Sequence, residues 1–362
     1  MTSLPSNAPP RSTPSRTAPH PRGFVWRSRR ISLVISPRLA IVTGVLLAVA
    51  LLLAITAMQL GTLPLSFAEV VSALFGLEAD PRHGHVVHSI RLPRVLTAIF
   101  CGAALGVSGA VFQSVSRNAL GSPDVIGFTT GAATGAIAQI VLFQAPPLQV
   151  SLGAVAGGIG TALIVYLLAV KGRVTGGYRL ILVGIGVGAV LGAANGLMLV
   201  LGDLDNAISA NLWLSGSLSA RNWGHALPVM VGALLLIPIV ALLARRTSLM
   251  EMGDDLAQQL GVRVERTRVW MMFLAVLLAG LAVGAAGPIA FVALAAPQLA
   301  VRLTRGRGMP VVSAAAMGAC LLLAADILSQ ALPFAATVPI GRMTGIIGGL
   351  YLIWLLTRSK QV

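Results

Sequence analysis

Acidic residues are scarce in this chain: eleven Asp and Glu stand against 26 Lys and Arg in 362 residues. Charged residues of either sign make up only 10%. That is too few to cover a soluble domain, which excludes an ordinary water-soluble globular class. Cysteine is limited to Cys101 and Cys320, both inside apolar stretches. A disulfide framework is thereby excluded, and the two read as small packing residues. Aromatics are 5%; bulk comes from Leu, Val, Ile and Ala, which suits a helix bundle in lipid better than a barrel of alternating strands. Lysine occurs only as Lys171 after Val170 and Lys360 after Ser359. Neither completes a G-x-x-x-x-G-K-[ST] loop, so no self-contained ATPase of that kind is encoded.

Long apolar runs are abundant. The chain is 56% hydrophobic, with 40 glycines and a mean hydropathy of +0.87. A hydrocarbon core of ~30 Å needs ~20 residues of helix. Runs of about that length lie near 39–60, 95–114, 125–143, 149–170, 179–201, 227–245, 268–286, 289–304, 311–329 and 339–357. The expectation is an all-α polytopic transmembrane bundle of ten spans, with both termini on one side. The eighth run is short and holds Pro288 and Pro297, so a broken or tilted helix is expected there. Residues 1–38 are rich in Pro, Ser and Thr and contain no acid but seven arginines: Arg11, Arg16, Arg22, Arg27, Arg29, Arg30 and Arg38. They read as a disordered basic tail ahead of a membrane domain over 39–362. With the tail inside, the inner segments hold all but five of the 26 cations; Arg82, Arg91, Arg94, Arg221 and Arg342 fall outside. This asymmetry makes both termini cytoplasmic. The net charge of +15 is then explained by topology and anionic lipid rather than by nucleic acid.

Gly102, Gly106 and Gly109 in the second span recur in spacing as Gly280, Gly284 and Gly287 in the seventh. Five spans separate the copies, as in an inverted repeat of spans 2–5 and 7–10; glycine spacing in close-packed helices is the plainer alternative. Asp326 is the clearest acid inside a span, thin provision for an ion-coupled carrier. Four acids fall in one inner connector: Glu251, Asp254, Asp255 and Glu265. There Gly253 and Asp254 begin a short helix, Leu256, Leu260 and Val262 give it an apolar side, and Gly261 ends it. It reads equally as a solvated connector or as a docking element for a cytoplasmic partner. His83, His85 and His88 form H-x-H-x-x-H in the first outer loop; in a polar loop they read as solvated residues, and no metal site is assigned.

Several segments together resemble the FecCD family, the permeases of importers for ferric siderophores, haem and vitamin B12 driven by ABC ATPases. They are RLPR at 91–94, GAALGVSGAVFQ at 102–113, RNALGSPDVIGFTTGA at 117–132, MGDDLAQQLGVRVERTR at 252–268, AGPIAFVALAAPQLAVRL at 286–303, and AADILSQ followed by VPIGRMTGIIGGLYLIWLL to Leu356. The resemblance implies a non-catalytic subunit of the bacterial cytoplasmic membrane. It implies a dimer with a second homologous permease chain, two ATPase subunits that bind ATP and Mg, and an extracytoplasmic siderophore-binding protein; no cofactor is implied in this chain. Glu251, Gly253, Asp254, Asp255, Leu260, Gly261 and Val262 match the family's ATPase-contacting segment. Arg91 and Arg94 match arginines that dock the binding protein. Asn118, Pro123, Gly127, Gly287 and Pro288 are implied structural turns. The pathway is expected along spans five and ten and loop 203–220, with Asn195, Asn211, Trp213, Ser215 and Gln330; Trp213 reads alternatively as an interfacial anchor. Departures from the family pattern are Ala119 for proline, Gln298 for histidine, Gln330 for arginine and Thr337 for glutamate, with Arg342 nearby as a candidate replacement for docking. Gln330, Gly348-Gly349-Leu350-Tyr351, GSPDVIGF and EMGDD resemble the ferric-enterobactin branch, in which two different permease chains pair. The expected cargo is a ferric siderophore, catecholate in type, with haem or a corrinoid as the alternative.

Overall fold

In the computed structural model of the chain, the described residues are 24–28, 31–61, 63–78, 80–171, 174–175, 177–306, 308–331 and 338–358. Strands β1 (Phe24–Ser28) and β2 (Ile31–Ile35), rich in β-branched and aromatic residues, pair antiparallel with Phe24 opposite Ile35. They lie inside the segment read as a disordered tail, whose residues 1–23, 29 and 30 are outside the described ones. Helices α1 (Pro37–Gln59), α2 (Phe67–Leu74), α3 (Pro81–His85) and α4 (Leu92–Ser116) follow. A 3-10 turn at Pro123–Ile126 leads into α5 (Phe128–Ile137). Then come α6 (Pro147–Ala169), the hairpin of β3 (Val170–Lys171) and β4 (Val174–Thr175), α7 (Gly177–Leu201), α8 (Leu204–Leu214) and α9 (Trp223–Met250). The chain continues through α10 (Asp254–Gln259), α11 (Val264–Ala286), α12 (Val292–Thr304), α13 (Val311–Ala331) and α14 (Ile340–Arg358).

The helical expectation holds apart from the two small hairpins. Helix length alone accounts for seven of the ten expected spans. Seven helices among the described residues are long and apolar enough to cross a membrane, and shorter apolar helices at Phe128–Leu142, Val292–Thr304 and Ile340–Ile353 occupy the third, eighth and tenth expected positions. At about 1.5 Å per residue, the 13 residues of α12 reach only about 20 Å. The cause is local: Gly287 and Phe291 both have positive φ, 76° and 70°, so the chain turns before α12 can start, and Pro297 lies within it. The second span, by contrast, exceeds its expected length, because Pro81–Ser116 runs on without a break. Pro93 has no N–H to give to the preceding turn. The π-helical stretch Val86–Arg91 absorbs this, with Leu92 N–H reaching back to the Val87 carbonyl.

Helix α4 is the buried centre and packs on α13, α11, α12 and α9. Most of it, from Cys101 through Phe112, is out of contact with solvent or lipid. Gly102 and Gly318 let the α4 and α13 backbones touch: a Cβ on either would run into the other's carbonyl oxygen. Ser108 Oγ donates to the Ala275 carbonyl of α11 at 2.7 Å, filling a polar need inside the core. The second glycine trio is used differently. On α11, the nearest neighbour of Gly280 and of Gly284 is the Val155 side chain of α6. The outer helices α1, α6, α7 and α9 present leucines such as Leu51, Leu167, Leu197 and Leu242 outward, the composition expected of a lipid-facing surface.

Gly102→Val should cost about 1–3 kcal/mol or more through overpacking, whereas Gly44→Val on α1, with nothing within 4 Å, should be silent. Thermal midpoints of the detergent-solubilised variants check this; equal midpoints would contradict the packing.

Candidate functional site: a cytosolic-type connector and a central cavity

The connector after α9 is built as its sequence suggests. Gly253 takes φ 123°, α10 covers Asp254–Gln259, and Gly261 takes φ 82°. Ala257 is fully buried against Met250 and Val264, which anchors α10 to the ends of α9 and α11. Met252, Leu256 and Leu260 are left exposed, an apolar face uncovered by the described residues; Val262 is half-buried, and Asp255 is exposed.

The opposite side of the connector is tied to α4. Arg117, at positive φ, ends α4; its Nε donates to the Met250 carbonyl at 3.0 Å and its Nη2 pairs with Asp254. Arg268 donates to Asp254 at 2.8 Å and to Glu265 at 2.5 Å. Ser114 Oγ donates to Glu251. Burial alone would raise the Asp254 carboxyl, but Arg268 and then Arg117 outweigh it and hold the group below the usual carboxylate range. Asn118 accepts from Leu120 N–H at 2.9 Å, an Asx-type turn that stands where the family pattern places a proline. Gln298 donates to the Ala119 carbonyl at 2.6 Å, so two of the departures meet.

A close chain crossing stands beside the cavity. Gly216 and Gly287, both at positive φ, pass so closely that a Cβ on Gly216 would strike the Pro288 carbonyl. Ser217 N–H donates to the Ala286 carbonyl at 2.8 Å. Beside this crossing is a space of about 460 Å³, lined by Asp124, Thr129, Thr130, Asn211, Ser215 and Arg342 together with Leu214, Pro288, Ala290 and Gly341. Arg342 Nε donates to Ser215 Oγ at 3.1 Å, and Ser215 Oγ in turn reaches the Asn211 carbonyl at 2.9 Å. Thr129 Oγ1 donates to Asp124. Asn195 lies behind this wall: its Nδ2 donates to the Thr130 carbonyl at 3.4 Å, while its buried Oδ1 has no partner among the described residues. Trp213 belongs to a second space of about 610 Å³, with Asp203, Asp205 and Arg221 on its lining.

Four of the expected site residues are engaged within the chain. Arg91 is only 6% exposed; it donates to the Met58 carbonyl at 2.5 Å and to the Leu63 carbonyl, closing the open carbonyl end of α1. Arg94 is bound to the buried Asp326 at 2.7 Å. Neither is arranged as a free docking charge. Arg342 faces the cavity. Gln330 Nε2 donates to Asp326 at 3.0 Å, completing the Arg94–Asp326 cluster. Of the expected turns, Pro123 opens the 3-10 turn and Gly127, at φ 72°, caps it. His88 Nε2 lies 2.9 Å from the Ala73 carbonyl, and no group of three His, Cys, Asp or Glu among the described residues is placed to hold a metal ion. Thr337 lies outside the described residues. Asp124, Thr129 and Thr130 were missed as cavity residues, although an acid within the otherwise apolar PDVIGF was a readable signal.

The model of the FecCD transport family matches residues 40–358. The ferric enterobactin transport system permease protein FepG of Escherichia coli (strain K12) is 44% identical over 327 residues, covering 90% of this chain and 98% of that protein. The Fe(3+)-citrate import system permease protein YfmE of Bacillus subtilis (strain 168) is 37% identical, covering 88% and 95%. A solved structure of a metal-chelate type ABC transporter in an inward-facing conformation superposes with a TM-score of 0.78 at 29% identity, covering 88% of this chain and 99% of that one. With the family model running from the first helix to the last, the chain belongs to the FecCD transport family and is an integral membrane protein.

Proposed function

We propose that the chain is the permease subunit of a binding-protein-dependent ABC importer that carries a ferric catecholate siderophore across a bacterial cytoplasmic membrane. The observation that carries this reading is the 44% identity to FepG over nearly the whole of both chains. In this reading ATP, Mg and hydrolysis belong to two separate ATPase subunits, and this chain contributes no catalytic step. An extracytoplasmic binding protein delivers the chelate, and a second, different permease chain completes the pathway. We take the three short apolar helices as spans buried among the others, which gives ten in all and puts both termini in the cytoplasm. The inverted repeat is supported by packing: α4 lies on α12 and α13, and its counterpart α11 lies on α5 and α6.

In this reading α10 is the contact for the ATPase. Its exposed Met252, Leu256 and Leu260 fit an apolar groove on a partner, and the Arg117–Asp254–Arg268 cluster transfers its displacement to α4 and α11. The cavity beside Arg342 is this chain's part of the pathway. A ferric tris-catecholate is an anion; one arginine among hydroxyl and amide groups attracts it, and Asp124 on the same wall opposes tight retention, as a conduit requires. Binding protein and ATP each act by favouring one of the two facing states.

Deleting the chain should abolish uptake of radiolabelled ferric catecholate and leave uptake of haem and cobalamin intact; loss of haem uptake alone would overturn the cargo. Arg342→Gln should lower catecholate uptake by about tenfold, the scale of one charge-assisted contact, with normal membrane levels by immunoblot. Asp254→Lys places a third cation between Arg117 and Arg268; transport should fall at least tenfold while the partner ATPase keeps hydrolysing, and Asp255→Lys should do less. Because the Asp254 carboxyl is depressed, its contribution is complete above the ordinary carboxylate range and lost only as pH falls below it. Coupling in proteoliposomes should therefore be flat from about pH 5.5 to 8; a loss within that window would contradict the assigned cluster.

A further inference from the structure

The C-terminal end of α9 and the N-terminal end of α11 enclose a groove of about 860 Å³, closed on one side by residues 260–262 of the connector. Four arginines line it: Arg245, Arg246, Arg263 and Arg266. All are exposed. The ion pairs among the described residues engage Arg94, Arg117 and Arg268 and none of these four, and no acid lines the groove. The walls next to the cations are apolar. Leu242 is 80% exposed and Trp270 50%, and both sit on helices long and apolar enough to cross a bilayer.

The vertical order of these groups matters. Arg246 and Leu242 are one turn apart on α9, and Arg266 and Trp270 one turn apart on α11, about 6 Å along each axis. Because α9 ends where α11 begins, both helices put cation above apolar side chain in the same order. A layer of fixed positive charge therefore stands at the end of the spans, over a hydrocarbon-lined slot that opens onto the lipid-facing surface. Charges that serve only to orient a chain need no slot beneath them.

We infer that this groove binds an anionic phospholipid, its phosphate on the arginines and an acyl chain along Leu242 and Trp270. Four cations suit a headgroup with two phosphates better than one with a single phosphate. Basic pockets between spans at the cytoplasmic end are the setting in which such headgroups are held. The alternative of a free phosphate leaves the exposed leucine and tryptophan unexplained.

Native mass spectrometry of the chain, purified with its partner subunits from nanodiscs of equal phosphatidylcholine, phosphatidylglycerol and cardiolipin, tests the inference. Retention of cardiolipin first and phosphatidylglycerol second is expected. Arg246→Gln with Arg266→Gln should cut that retention by about tenfold or more. Trp270→Ala, which leaves the charge unchanged, should also reduce it; this variant decides the matter if the double variant fails to insert. Equal retention of phosphatidylcholine, unchanged retention in either variant, displacement by millimolar inorganic phosphate, or exclusion of lipid when the ATPase subunits are bound would each overturn the inference.

Discussion

Contact between backbones sets the terms for everything else in this molecule. In lipid, apolar side chains gain little by leaving one hydrocarbon environment for another, so helices associate through close fit and internal hydrogen bonds. Gly102 on α4 and Gly318 on α13 supply the fit, and Ser108 on α4 supplies a hydrogen bond to α11. A helix so closely held on several sides behaves as a rigid post. The cavity walls and the connector are both referred to it: Arg117 closes its lower end, and Gln113 Nε2 near that end donates to the Leu294 carbonyl of α12 at 2.9 Å.

Two kinds of charge serve two purposes. Arg91, Arg94 and Asp326 are turned inward and spend their charge on structure: a guanidinium closes the carbonyl end of α1, and an ion pair with Gln330 beside it joins α4 to α13. Breaking one partner of such a buried pair leaves an uncompensated charge. The arginines between α9 and α11 are turned outward and have no such role in the chain itself. The neighbours each arginine meets, rather than residue type, separate the two groups.

Hydropathy makes the helices and their order readable, and the connector is readable in detail because Gly253 and Gly261 mark its turns. Of the three short helices only the eighth run is legible, through Pro288 and Pro297; an apolar run of adequate length says nothing about where the backbone reverses inside it, and Phe291 at positive φ carries no sequence signature. The contacts of Arg91 and Arg94 are hidden in the sequence for a related reason. An arginine at a helix end has the same sequence whether it reaches out to a partner or back to a carbonyl, and only the placement of Met58, Leu63 and Asp326 decides. Asn211 and Ser215 line the cavity, while Trp213 and Asn195 fall beside and behind it.

The turn from Arg117 to Leu120 touches both working parts. Arg117 grips Asp254 in the connector, and the Ala119 carbonyl is gripped by Gln298 of α12, whose approach segment, Pro288 and Ala290, forms the cavity wall. Four residues act as a drawbar with almost no slack. On the function proposed above, a tug on the connector is passed on as displacement instead of being lost in bending, and an insertion that lengthened this turn would detune the motor from the gate while leaving both intact.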